Sequence, residues 1–159
     1  KVQLGSETTL MQRSAILVSA IVSVIAICAG PTFAANVEVK MLNRGDAGPM
    51  VFEPSLVEIS PGDSVTFLPT DKGHNAETIP DMLPEGAEPF KGKINEEITV
   101  TFEVPGAYGV KCLPHQAMGM VMLIVVGEEP ANLDDIASVR LPPLSRRRMD
   151  AALAEYQAE

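Results

Sequence analysis

The sequence predicts an all-β sandwich followed by two short C-terminal α-helices. Three observations carry that prediction. Short alternations of apolar and polar residues recur between residues 36 and 126. Pro-Gly pairs and Gly-rich turns punctuate them. After Gly127 the pattern changes to helical spacing with capping chemistry.

The segments follow in order. Asn36-Val-Glu-Val-Lys-Met-Leu42 puts Val37, Val39 and Met41 on one face, the period of a half-buried strand. Leu56–Ile59 and Ser64–Leu68 are the next strands, separated by the turn signal Pro61-Gly62-Asp63. Residues 69–97 are rich in Pro, Gly and charge, and read as a long excursion with a short helix near Ile79–Leu83. Ile98–Val104 alternates again and ends at Pro105-Gly106; Tyr108–Lys111 is a short strand. Val121–Val126 is an unbroken apolar run, expected of a strand in a sandwich interior. Asn132, followed by Asp134 and Asp135, suits a helix N-terminus, and Leu141-Pro142-Pro143 ends that helix. A second helix opens at Ser145, with Met149, Leu153 and Tyr156 on one face. It is too short to be stable alone and is expected to pack on the sandwich.

The N-terminal segment has a different character. Ser14–Gly30 is apolar and uncharged, Arg13 precedes it, and Thr32 and Ala34 supply small residues. This is the pattern of a secretory signal peptide cleaved after Ala34. An uncleaved anchor is the rival reading, but a spanning helix needs about 20 apolar residues and Gly30-Pro31 interrupt the run. Residues 1–10 read as upstream sequence, with Met11 as the natural start. The expected organisation is therefore residues 1–34 as signal, 35–127 as the sandwich and 128–159 as a helical extension.

The chain has 159 residues and a formal charge of −9. Removing Lys1, Glu7 and Arg13 with the signal takes away one net positive charge and leaves −10. That balance argues against nucleic acid, whose phosphates attract basic faces. Only Cys28 and Cys112 occur, and Cys28 lies in the signal segment. The processed chain would keep a single thiol, with no disulfide, in an oxidising compartment. Such a thiol is a liability unless something occupies it.

The segment from Tyr108 to Met120 suggests the occupant. It contains Cys112, His115 and Met120 in the spacing Cys-x2-His-x4-Met, and His74 is the one other histidine. Two imidazoles, one thiolate and a weak thioether suit both the soft Cu(I) and the harder Cu(II). Trigonal His2Cys with an axial Met is the blue-copper pattern. Zinc accepts N and S donors but takes Met poorly. A catalytic Cys112–His115 pair lacks an orienting third residue. Two histidines are also too few for a second, catalytic copper, so an enzyme is not expected. A copper chaperone or storage protein is the alternative, though it would favour exposed, exchangeable ligands.

These residues resemble the pseudoazurins, periplasmic blue-copper proteins of the cupredoxin class. The likeness rests on His74-Asn75, Pro105-Gly106 with Tyr108 ahead of Cys112, and Cys112-x-Pro114-His115-x-x-Met118-Gly119-Met120. It extends through Met41–Asn43, Met50–Pro54, Asp71–Asn75, Met82–Ala87 and Ala131–Asp134. The resemblance implies a cupredoxin-like Greek-key sandwich and a monomeric one-electron carrier of the periplasm. Its single type I copper would be held by His74, Cys112, His115 and Met120. It further implies that the backbone N–H of Asn75 points at the Cys112 sulfur, and that electrons pass through the edge of His115. An apolar patch of Met50, Pro69, Pro114, Ala117 and Met118 would surround that edge. Arg44, Lys72, Lys91 and Lys111 would dock acidic partners, a copper nitrite reductase of denitrification first and a cytochrome c second. Arg146, Arg147 and Arg148 read as a solvated helix face.

Overall fold

A computed structural model describes residues 34–158. The expected signal segment and Cys28 lie outside the described residues. The eight strands are β1 (Asn36–Gly45), β2 (Gly48–Glu53), β3 (Leu56–Ile59), β4 (Ser64–Leu68), β5 (Glu77–Thr78), β6 (Ile98–Thr101), β7 (Gly106–Lys111) and β8 (Val121–Val126). A 3-10 helix, Leu113–Met118, joins β7 to β8, and helices α1 (Leu133–Ser138) and α2 (Pro143–Tyr156) follow. Among the described residues no helix is long and apolar enough to cross a membrane.

The strands form two four-stranded sheets, ordered β2-β1-β4-β6 and β3-β8-β7-β5. Each is mixed: β1 runs parallel to β4, and β3 parallel to β8. This is the Greek-key sandwich that the family resemblance implies. Between the sheets lie Val39, Met41, Phe52, Val65 and Phe67 from one, and Tyr108, Val110, Cys112, Met122, Ile124 and Val126 from the other. The opposite face of the second sheet, Ala107, Val121, Leu123 and Val125, packs on Ile136 of α1 and on Met149, Ala152 and Leu153 of α2. Strand β8 is therefore covered on both sides, which explains its unbroken apolar run. Gly109 belongs to this packing: a Cβ there would lie 2.5 Å from the Met82 sulfur.

Four local expectations are corrected. There is no helix at Ile79–Leu83. Ile79 N–H donates to Gly109 O and Gly109 N–H to Met82 O, so the segment pairs alongside β7 and turns at Asp81, whose φ is +65°. Strand β6 ends at Thr101, because Phe102 exchanges its backbone bonds with Asp63 and Gly62 in the turn opposite. Helix α2 begins at Pro143, two residues before Ser145; proline's fixed φ suits the first helical turn. Asn132 precedes α1 but does not cap it with its side chain. Its amide instead accepts from Ala107 N and donates to Ala107 O, both at 2.8 Å, and so ties α1 to β7.

Candidate metal centre

The candidate centre sits at one end of the sandwich, where two segments meet. Cys112 follows β7, is 0 % exposed, and gives its N–H to Met120 O at 3.0 Å. Met120 N–H donates to His115 O at 3.2 Å, and His115 N–H to Cys112 O at 3.2 Å. One short hydrogen-bonded ring therefore fixes Cys112, His115 and Met120 relative to one another. Gly119 closes it at φ 90°, in the left-handed region open to glycine.

His74 arrives from the excursion between β4 and β5. Asp71 accepts from Asn43 N–H at 2.7 Å, and Asn95 accepts from Gly73 N–H at 2.6 Å and donates its own N–H to His74 O at 2.8 Å. These bonds hold the loop against β1 and against the segment that leads into β6. His74 is fully buried, and its Nε2 lies 3.0 Å from Asn43 Oδ1. A carboxamide oxygen only accepts, so Nε2 carries the proton and Nδ1 keeps its lone pair.

That lone pair faces the other donors. His74 Nδ1 lies 3.7 Å from Cys112 Sγ and 3.0 Å from His115 Nδ1, and His115 Nδ1 is 3.5 Å from the same sulfur. All three atoms fall within 4.8 Å of one another. Two imidazole nitrogens and a thiol so placed fit one metal ion. Met120, at 0 % exposure, lies in the same core cluster as Cys112.

The electrostatics agree. Burial lowers the His74 pKa, and neighbouring His115 lowers it further against the opposing pull of Asp71. His74 is thus kept neutral, as a ligand must be. Burial raises the Cys112 thiol, the carboxylate of Glu77 adds to the rise, and the backbone N–H groups of Asn75 and His115 on its sulfur oppose it. The Asn75 side chain adds a staple: Oδ1 accepts from Leu113 N–H at 2.8 Å, and Nδ2 donates to Glu77 Oε2 and Gly92 O, both at 3.1 Å.

Around His115, which is half-buried, Leu113, Pro114, Ala117 and Met118 are exposed. Leu113, 49 % exposed, is missing from the sequence-based patch. Lys72 and Arg44 are exposed, but Lys111 is not a free surface charge. Its side chain is 13 % exposed and pairs with buried Glu77 at 3.4 Å, while the largely exposed Lys91 reaches the same carboxylate at 3.5 Å. The arginine run is also corrected. Arg147 is exposed, but Arg146 donates to the carbonyls of Ile136, Ala137 and Val139 and pairs with Asp150. Arg148 donates to those of Pro49, Met50 and Gly119.

A mixed Greek-key sandwich with a His2Cys cluster at one end defines the cupredoxin class. Residues 39–127 match the model for copper binding proteins of the plastocyanin/azurin family. A pseudoazurin of Paracoccus pantotrophus is 56 % identical over 127 residues, covering 80 % of this chain and 88 % of that protein. The crystal structure of pseudoazurin from Methylobacterium extorquens AM1 superposes with a TM-score of 0.75 at 51 % identity, covering 77 % of this chain and 99 % of that one. Native pseudoazurin from Hyphomicrobium denitrificans gives 0.72 at 44 % identity, over 76 % and 98 %. The chain belongs to the plastocyanin/azurin family of copper-binding proteins, on its pseudoazurin branch. It is a copper electron carrier and not an enzyme.

Proposed function

We propose that His74 Nδ1, Cys112 Sγ, His115 Nδ1 and Met120 Sδ hold a single copper ion, and that the protein shuttles single electrons in the periplasm. The observation that carries the ligand set is the convergence of the two Nδ1 atoms and Sγ within 4.8 Å. When bound, copper supplies a Cu(I)/Cu(II) couple that mixed soft and harder donors serve in both states. The chain's part is to hold those donors still. Asn43 fixes the His74 tautomer, and the Asn75 N–H directed at the sulfur stabilises the thiolate. The nearly complete burial of His74, Cys112 and Met120 excludes water.

His115 is the least buried of the four and is the route for the electron. The apolar residues Leu113, Pro114, Ala117 and Met118 around it suit a small, short-lived interface, as turnover requires. Arg44, Lys72 and Lys91 supply a basic rim for an acidic partner, and Lys111 contributes less because Glu77 neutralises it. A copper nitrite reductase is the proposed acceptor, as the resemblance to pseudoazurins implies, with a cytochrome c as the alternative. Residues 1–34 serve as the cleaved export signal, 35–127 as the sandwich and 128–159 as its helical extension.

The test is optical. Cu(II) added to the purified protein should produce an intense visible thiolate-to-copper band at one equivalent. Cys112→Ser should abolish the band, and a colourless wild-type complex would overturn the assignment. Charge reversal at Lys72 and Arg44 should slow electron transfer to an acidic partner and flatten its salt dependence.

A further inference from the structure

The C-terminal helix reaches the loop that carries Cys112, His115 and Met120. Ser145, Arg148, Met149 and Ala152 follow the i, i+3, i+4, i+7 rule and face the body of the protein. Met149 and Ala152 are apolar packing. Ser145 and Arg148 instead carry polar groups to the loop that holds three of the four proposed ligands. Ser145 is 0 % exposed, and its hydroxyl donates to Gln116 O.

Arg148 makes the wider connection. Its Nη1 donates to Met50 O at 2.7 Å and to Gly119 O at 3.0 Å, and its Nη2 to Pro49 O at 2.9 Å. One planar fork thus spans the start of β2 and the turn immediately before Met120. The side chain lies flat on Gly119: a Cβ there would meet Arg148 Cδ, Nε and Cζ at 3.1, 3.2 and 3.3 Å. Both backbone segments are ones that need support. Met50 has φ 51°, in the left-handed region that a side chain other than glycine's enters at a cost. Gly119, at φ 90°, turns the chain so that Met120 enters the core. No carboxylate lies within ion-pair distance of Arg148 among the described residues. Its charge is therefore addressed to backbone carbonyls.

We propose that Arg148 is a positioning residue for the copper site: by tying Pro49, Met50 and Gly119 to the C-terminal helix, it holds the turn that presents Met120 and so sets where that thioether would meet the metal. The proposal rests on the ligand assignment above. Lysine cannot replace it, because a single ammonium lacks the fork that reaches two segments at once. Its positive charge would also favour the reduced form of a copper site, which carries one positive charge less than the oxidised form.

The experiment uses the copper-loaded protein and compares wild type, Arg148→Met and Arg148→Lys. The readouts are the intensity ratio of the two visible charge-transfer bands, the rhombicity of the Cu(II) EPR signal, and the reduction potential. Arg148→Met should change the band ratio and the rhombicity and lower the potential. Arg148→Lys should change the ratio and rhombicity in the same sense, with a smaller drop in potential because the charge remains. A folded Arg148→Met protein that loses thermal stability but keeps wild-type spectra and potential would make Arg148 a structural tie only and overturn the proposal. Should Arg148→Met fail to fold, unchanged spectra in Arg148→Lys would overturn it equally. A wild-type protein without the thiolate-to-copper band would instead refute the ligand assignment, a separate outcome.

Discussion

Removing the Asn75 side chain should weaken both the fold and the metal site, and the structure sets the scale. The residue is 2 % exposed and its amide makes three hydrogen bonds, to Leu113 N, Gly92 O and the Glu77 carboxylate. Asn75→Ala deletes two bonds to backbone groups, each worth about 1 kcal/mol, and one to an ionised acceptor, worth about 2 kcal/mol. The expected loss is about 4 kcal/mol. At about 2.1 cal/mol/K per residue, a domain of about 125 residues should lose about 15 °C in Tm. The assay is thermal unfolding followed by circular dichroism, on metal-free and copper-loaded protein. The loss should be larger in the loaded form, because the same amide joins the His74 segment to the residue after Cys112. Asn75→Asp keeps the acceptor for Leu113 N but faces Glu77 with a second carboxyl, so it should recover part of the loss at acidic pH only. A loss below about 1 kcal/mol, equal in both forms, would refute the view that this side chain staples the two ligand segments.

Other predictions follow from neighbouring groups. Glu77→Gln should cost about 3 kcal/mol by leaving the largely buried Lys111 ammonium without its partner. Adding Lys111→Met should restore more than half of that, as urea unfolding of the four proteins in the cycle will show; simple additivity would deny the coupling. Burial raises the pKa of both the Cys112 thiol and the Tyr108 phenol. The metal-free folded state therefore holds these protons more tightly than the unfolded chain. That contribution is complete below the ordinary pKa values and is lost as pH rises through the folded ones. The Tm of the metal-free protein should thus decline above about pH 8.5, and Cys112→Ser should delay the onset to the phenol range near about pH 10. A Tm unchanged by alkali would contradict the cause assigned to these shifts. Copper reverses the sign for the thiol, because ligation requires the thiolate, so uptake should release protons and tighten as pH rises.

The legible parts of the sequence were those in which local pattern and tertiary role coincide. Strands β3, β4 and β8 fall where alternation and apolar runs place them. The spacing of Cys112, His115 and Met120 was readable because one loop carries all three. Strand β2 was not read as a strand, because Gly48 and Pro49 look like punctuation and Met50 takes a positive φ. Strand β5, two residues long, exists only by pairing with β7 and leaves no periodic trace. Arg148 was misread because three consecutive arginines look like a solvated face. The helical offset from Ser145 and Met149 was the signal that Arg148 faces the body of the protein, while Arg146 bonds to the end of α1. Lys111 was misread because its ion partner is thirty-four positions earlier in the chain, at Glu77.

The excursion bearing His74 is held by scattered backbone and side-chain bonds rather than by a long strand ladder. Between residues 69 and 97 the regular structure is β5 and one isolated bridge, while Asp71, Asn75 and Asn95 supply many of the remaining ties. Strands β7 and β8, by contrast, lie at the centre of their sheet. Opening free energies therefore differ between the two halves of the coordination sphere. A partial fluctuation can swing one imidazole away while the Cys112–Met120 chelate stays folded. Release of a bound ion would then follow the opening of this segment, so the lifetime of the centre would be separable from the global stability of the protein.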